Sequence, residues 1–183
     1  MPFNIASDEI EIQGVLLGNV DAFPDERGSF SEVFRSTWFP GCNYPGETQL
    51  NLSRTVKGAL RGLHFHRIQH DWWIPLQGEF QAALADLRRS SPTFGKTMVF
   101  TISGEGSRCV LIPPGVAHGF LALGRASLLY AVDRYYDGSD EQGVAWDDGR
   151  LAIPWLNPEP ILSERDRNNP TLDELERDGL LPD

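Results

Sequence analysis

Short apolar runs, each closed by Gly, Pro, Ser or Asp, succeed one another along most of the chain. Residues 10–20 alternate loosely, with Ile10, Ile12, Val15 and Leu17 as apolar positions. Phe30–Phe34 reads as a strand after the turn Asp25-Glu-Arg-Gly28. Trp72–Leu76, Phe80–Leu87, Thr97–Ile102, Cys109–Ile112, Gly119–Leu123 and Leu128–Val132 are all of strand length. Many short strands at this spacing predict an all-β sandwich or barrel. Helical periodicity is weak until the end. There Thr171-Leu-Asp-Glu174 has the spacing of a capping box and predicts a short helix through about Asp178. Ser36-Thr-Trp-Phe39 reads as a second, shorter helical turn. No internal repeat or low-complexity segment interrupts the pattern.

Composition narrows the class. The 183 residues suit one domain, with a core over about 10–156 and a C-terminal extension over about 157–183. Hydrophobic residues at 40% and charged residues at 23% are ordinary globular usage, which argues against wholesale disorder. No apolar run reaches the roughly 18 residues of a membrane-spanning helix, so no membrane partner is expected. The N-terminal segment lacks a basic stretch followed by an apolar one, and Cys42 and Cys109 do not make a disulfide framework. The expectation is a cytoplasmic protein with reduced thiols.

The net charge of −10 argues against a nucleic-acid partner bound by phosphate neutralisation. The charge is uneven: residues 137–183 hold 13 of the 26 acids and 4 of the 16 bases. The acidic tail reads as a solvated surface, and the body remains open to an anionic ligand.

All four histidines, His64, His66, His70 and His118, precede the tail. On a strand His64 and His66 share a face, because side chains alternate with period two. Two imidazoles in one enclosed site suit either a general base or a metal. The surroundings sharpen this. Gly58-x5-His64-x-His66-x4-Asp71-x6-Gly78 resembles the first cupin motif, with Asp for the usual Glu. Pro113-x-Gly115-x2-His118 resembles the core of the second. The pair implies an all-β, cupin-type double-stranded β-helix (jelly roll) with short helices and an irregular C-terminal segment.

A narrower resemblance covers nearly the whole chain. It is carried, in order, by Asp25-Glu-Arg-Gly-Ser-Phe-Ser-Glu32, Gln49-Leu-Asn-Leu-Ser53, Leu60-Arg-Gly-Leu-His-Phe65, Asp86-Leu-Arg-Arg-Ser-Ser-Pro-Thr-Phe-Gly95 and Ile112-Pro-Pro-Gly-Val-Ala-His-Gly-Phe120. It continues through Leu129-Tyr130, Tyr135-Tyr136, Trp146-Asp-Asp148 and Leu162-Ser-Glu-Arg-Asp166. The chain resembles the dTDP-4-dehydrorhamnose 3,5-epimerase family, which acts on nucleotide-linked 4-keto-6-deoxyhexoses. The resemblance implies that His64 is the base, Asp166 its hydrogen-bonding partner and Tyr130 the acid on the opposite face of the sugar. His118 would line the same cavity. Arg27 and Arg61 would hold the diphosphate, and Phe30, Glu32, Gln49 and Asn51 would lie near the nucleotide. Tyr135 is the candidate for stacking on the base. The resemblance further implies a homodimer, in which the segment of Arg27 and Phe30 reaches the partner. No cofactor is expected.

The chain departs from that family at the keto group. Family members commonly carry Gln for His66 and, for Asp71, a Lys thought to sit near the sugar C4 oxygen. The family's usual Asp in the following strand is Ala82, and an aliphatic strand is replaced by Trp72-Trp73. His66 and Asp71 are therefore candidate substrate contacts in an altered pocket. The competing reading is a metal-dependent cupin isomerase or oxygenase that binds a divalent ion through His64, His66, Asp71 and His118. A third is a sugar-nucleotide-binding protein without catalysis.

Overall fold

The structure, a computed structural model, describes residues 3–5 (backbone only), 11–39, 41–44 and 46–183. Ile10, the first position of the alternating run, lies outside these. The strands are β1 (Phe3–Ile5), β2 (Leu16–Val20), β3 (Ala22–Asp25), β4 (Gly28–Ser31), β5 (Gln49–Thr55), β6 (Leu60–Phe65) and β7 (Asp71–Gln77). They continue as β8 (Glu79–Asp86), β9 (Thr97–Ser103), β10 (Arg108–Ile112), β11 (Val116–Ala122), β12 (Ala126–Val132) and β13 (Gln142–Gly143). Two short helices follow, α1 (Glu164–Arg167) and α2 (Leu172–Arg177). Every strand pairing is antiparallel. One sheet has the order β1-β2-β10-β7-β12-β5, the other β13-β6-β11-β8-β9, and β3-β4 is a separate hairpin. Successive strands from β5 onward mostly switch sheets, which is the jelly-roll arrangement.

Three apolar clusters explain why the strands read as continuous runs. The first lies between the sheets and includes Leu17, Trp73, Leu84, Val110, Ile112, Phe120 and Leu128. The second covers the outside of the five-stranded sheet, where Leu63, Phe65, Ala83 and Ala117 meet Leu172, Leu175 and Leu181 of the tail. The third covers the outside of the six-stranded sheet, where Trp72, Ile74, Cys109 and Leu111 meet Trp38, Phe39 and Tyr44. The central strands are thus apolar on both faces, and the period-two signal is lost to burial.

The tail is more than a solvated surface. Thr171 and Glu174 form the expected capping box of α2, and Leu172 and Leu175 are buried. Asp148 accepts from the backbone N–H of Arg150, Leu151 and Leu172, and so ties the start of α2 to the preceding loop. Ser36–Phe39 is a turn rather than a helix, closed by Trp38 N donating to Arg35 O at 3.0 Å. Trp38 and Phe39 are drawn onto the sheet instead. Among the described residues no helix is long and apolar enough to cross a membrane.

Candidate active site

One end of the space between the sheets opens into a cleft of about 920 Å³. Strand parity decides what faces it. On β6, Leu63 and Phe65 point outward into the tail cluster, so His64 points inward. On β12, Leu129 and Ala131 face outward and Tyr130 inward. On β11, Ala117 faces outward and His118 inward; on β5, Gln49, Asn51, Ser53 and Thr55 face the cleft. The approach of β6 to β11 depends on glycine. A Cβ on Gly62 would lie 2.7 Å from the Gly119 Cα and the His118 oxygen, and its φ is +121°. No other residue lets His64 and His118 stand on directly paired positions here.

His64 and Asp166, 102 residues apart, form a short polar contact in the cleft, Nε2 to Oδ1 at 2.5 Å. Ser163 caps α1 by accepting from the Asp166 N–H, which fixes the turn that carries the carboxylate. Burial raises the Asp166 pKa, but the bond and charge of His64, with help from Ser163 and the Gly62 N–H, more than reverse this, and the group sits below its ordinary value. Asp166 is therefore ionised at neutral pH. It holds the proton on Nε2 and leaves the lone pair on Nδ1.

Tyr130 belongs to the six-stranded sheet and His64 to the five-stranded one, so the two stand on opposite walls. Burial, then the charges of Asp71 and Glu141, push the Tyr130 phenol up, which keeps its proton available. His118 is buried, and burial lowers its pKa to about 4. Its Nδ1 donates to the Val116 carbonyl at 3.0 Å, so its Nε2 is an acceptor.

The four-ligand set His64, His66, Asp71 and His118 divides. His66, Asp71 and His118 bring their donor atoms within 4.8 Å of one another, whereas His64 stands outside that group. The physical reason is the Asp166 contact, which claims the His64 ring, and His66 lies one residue past the end of β6. His70, the nearest histidine in sequence to Asp71, instead donates through its backbone N–H to Asp133, and its Nδ1 lies 2.9 Å from the same carboxyl group.

Other expected residues are also placed. Gln49, Asn51, Arg61, His66 and Asp71 line the cleft, and the Arg61 Nε donates to Thr55 Oγ1 at 3.2 Å. Arg27, Phe30 and Glu32 do not line the cleft of a single chain. Arg27 pairs with Asp25 on the exposed β3-β4 hairpin, Phe30 is 69% exposed, and Glu32 pairs with Arg35. Tyr135 is exposed outside the cleft, and its neighbour Tyr136 lines it. Of the two adjacent tryptophans, Trp73 lines the cleft edge-on to His118, while Trp72 packs on Phe39 behind the sheet. Sequence reasoning missed Glu141 and Arg165, an ion pair in the cleft wall. Arg165 was within reach, being one residue before Asp166 in a motif already noted.

Comparison with known proteins identifies the family. The family model described as dTDP-4-dehydrorhamnose 3,5-epimerase matches residues 9–174. The dTDP-4-dehydrorhamnose 3,5-epimerase of Shigella flexneri is 37% identical over 164 residues, covering 86% of this chain and 91% of that protein. Among solved structures, NovW, a 4-keto-6-deoxy sugar epimerase of Streptomyces spheroides, superimposes with a TM-score of 0.88 at 31% identity, over 98% of this chain and 92% of that one. ChmJ, a 3'-monoepimerase of Streptomyces bikiniensis solved with dTDP-quinovose, gives a TM-score of 0.88 at 34% identity, over 94% and 91%. With the fold, the paired motifs and the family match in agreement along its length, the chain belongs to the dTDP-4-dehydrorhamnose 3,5-epimerase family.

Proposed function

We propose that this protein epimerises C3, or C3 and C5, of a dTDP-linked 4-keto-6-deoxyhexose in deoxysugar biosynthesis. The observation that carries this is a base and an acid on opposite walls of one cleft. A carbon beside a ketone is acidic enough to invert through an enolate, and inversion needs a proton removed from one face and returned to the other. His64 takes the proton on Nδ1, and Asp166 stabilises the imidazolium that forms. Tyr130 returns a proton from the other wall. No electrons are transferred overall, so the reaction requires no redox cofactor. Arg61 supplies a guanidinium for the diphosphate.

The test is incubation with dTDP-4-keto-6-deoxyglucose in deuterium oxide, followed by NMR. Loss of the C3 proton signal, alone or with C5, is the expected result and names the carbon that exchanges. Tyr130→Phe should still exchange that proton but should lose most net inversion. Binding without any exchange by the wild type would mean a non-catalytic sugar-nucleotide binder.

A homodimer completes the proposal. β5 is the edge of the six-stranded sheet, and its outward residues Leu50 and Leu52 are exposed, as are Phe23 and Phe30 on the β3-β4 hairpin. An apolar edge of this kind pairs readily with another copy. The projecting hairpin of Arg27, Phe30 and Glu32 would then reach the partner's cleft. Sedimentation equilibrium should return twice the 20.4 kDa chain mass, and a monomer at every concentration would refute the assembly.

A further inference from the structure

We propose that His66, Asp71 and His118 form a binding site for one divalent first-row transition-metal ion at the floor of the cleft, beside His64. The ion's place in the reaction rests on the epimerase reading; the binding itself does not. Three donor atoms already lie within 4.8 Å of one another. The His118 Nε2 to Asp71 Oδ2 distance is 3.7 Å, too long for a hydrogen bond. It is close to the ~3.4 Å edge between two ligands that each sit about 2.1 Å from a tetrahedral ion.

The outer contacts orient these donors. The Val116 carbonyl accepts from His118 Nδ1 at 3.0 Å, which leaves the Nε2 lone pair for a ligand. Gln69 Nε2 donates to Asp71 Oδ1 at 2.8 Å, which leaves Oδ2 toward His118. Metal-binding imidazoles and carboxylates are held in this way by a carbonyl or amide behind them. The His66 ring lies 5.7 Å from that of His118, centroid to centroid. Asp71 is only 3% exposed, and among the described residues the basic side chain within 4 Å of it is the His118 imidazole, kept neutral by burial, rather than a lysine or arginine. A buried carboxylate in such surroundings is costly without a compensating cation.

The donor set also selects the ion. Two imidazoles and one carboxylate favour zinc, cobalt, manganese or nickel over calcium and magnesium, which prefer all-oxygen shells. Three protein ligands leave coordination positions open toward the cleft. An ion there supplies positive charge where an enolate oxygen would otherwise face the Asp71 carboxylate. Because His64 is outside the set and held by Asp166, the base is not consumed by coordination.

A second cluster, Cys42, His70 and Asp133, meets the same distance limit but is already closed. Asp133 accepts from the backbone N–H groups of Asn43 and His70 and contacts the His70 ring. Burial pushes the Cys42 thiol up to about 11, so it offers no thiolate at neutral pH.

The test uses chelator-stripped full-length protein and cobalt(II) alone, followed by visible absorption and by calorimetry. One cobalt per chain, with the bands of a nitrogen- and oxygen-ligated ion, is expected. Asp71→Asn and His66→Gln should each weaken binding more than tenfold while keeping the melting transition of the stripped protein. Cys42→Ala should bind as the wild type does. No binding, or binding lost with Cys42→Ala and kept with Asp71→Asn, overturns the site. Equal deuterium exchange by stripped and cobalt-loaded protein would overturn the ion's role at the keto group and leave the epimerase reading standing.

Discussion

His64→Ala should lower deuterium exchange at the sugar carbons by about 10²–10⁴-fold, the usual contribution of a positioned general base. The dissociation constant for dTDP should stay at the wild-type value, because His64 is proposed to act on the sugar. Removing the ring leaves Asp166 buried at 4% exposure without its partner. Loss of activity alone would therefore be ambiguous. His64→Asn resolves this, since its amide can still donate to Asp166 but cannot serve as a base at neutral pH. Both variants should lose exchange, and the Asn variant should melt close to the wild type. Exchange that survives in a folded His64→Asn protein would end the assignment of His64 as base.

The largest stability effect is expected at Asp86, far from any proton transfer. Asp86 is fully buried and accepts from the Arg88 N–H and guanidinium, the Ser91 hydroxyl and the Thr93 hydroxyl. These bonds fold residues 87–96 back onto the sheet, and Arg88 also reaches the Gln13 carbonyl. Asp86→Ala would leave a part-buried guanidinium and two hydroxyls without their acceptor. Breaking a buried pair from one side costs about 3–5 kcal/mol. At 2–4 °C per kcal/mol for a chain of this size, Tm should fall by roughly 6–20 °C. Asp25→Ala, which breaks an exposed pair, should leave Tm unchanged.

Acid should erase the difference between the wild type and Asp86→Ala. Burial raises the Asp86 pKa, but its bonds to Arg88, Ser91 and Thr93 bring it below the ordinary carboxylate value. A lowered native pKa contributes stability that is complete above the unfolded pKa, near 4, and is lost as pH falls through the native one. The Tm gap should be constant near neutral pH, narrow progressively below about pH 4 and close as pH falls through the native pKa. A gap that does not narrow at all in acid, or one absent at pH 7, would contradict the ionic role.

Much of the fold was legible because turns are local. Gly, Pro, Asp and Ser ended most strands within a residue of where the structure ends them, although β4 stops at Ser31 rather than running to Phe34, and the Thr171–Glu174 capping box was visible by spacing. Some strand edges were less legible. β11 begins at Val116, three residues before the run that predicted it, because His118 sits at a buried strand position where an apolar residue is usual. β5 went unread as a strand since its apolar residues, Leu50 and Leu52, face away from the core. In the site, the His64, Asp166 and Tyr130 grouping came through motif resemblance, not periodicity. Their meeting depends on long-range strand pairing and on a helix of one turn. The division of the His64, His66, Asp71 and His118 set could not be read at all. Alternation put His64 and His66 on one face, whereas β6 ends at Phe65 and the Asp166 contact claims the His64 ring.

The tail's packing has a consequence for the timing of synthesis. A ribosome delivers the chain from the N-terminus, so β2 to β12, with His64 and Tyr130, emerge well before Asp166. Until α1 emerges, His64 lacks the carboxylate that sets its tautomer, and the outer face of β6 and β11 lacks Leu172, Leu175 and Leu181. A nascent barrel therefore carries a sticky apolar flank and has not yet paired His64 with Asp166. On the proposed role of His64 as base, completing the sheet's outer cover and switching on that base would be the same late event, tying proton abstraction to a chain that has finished folding.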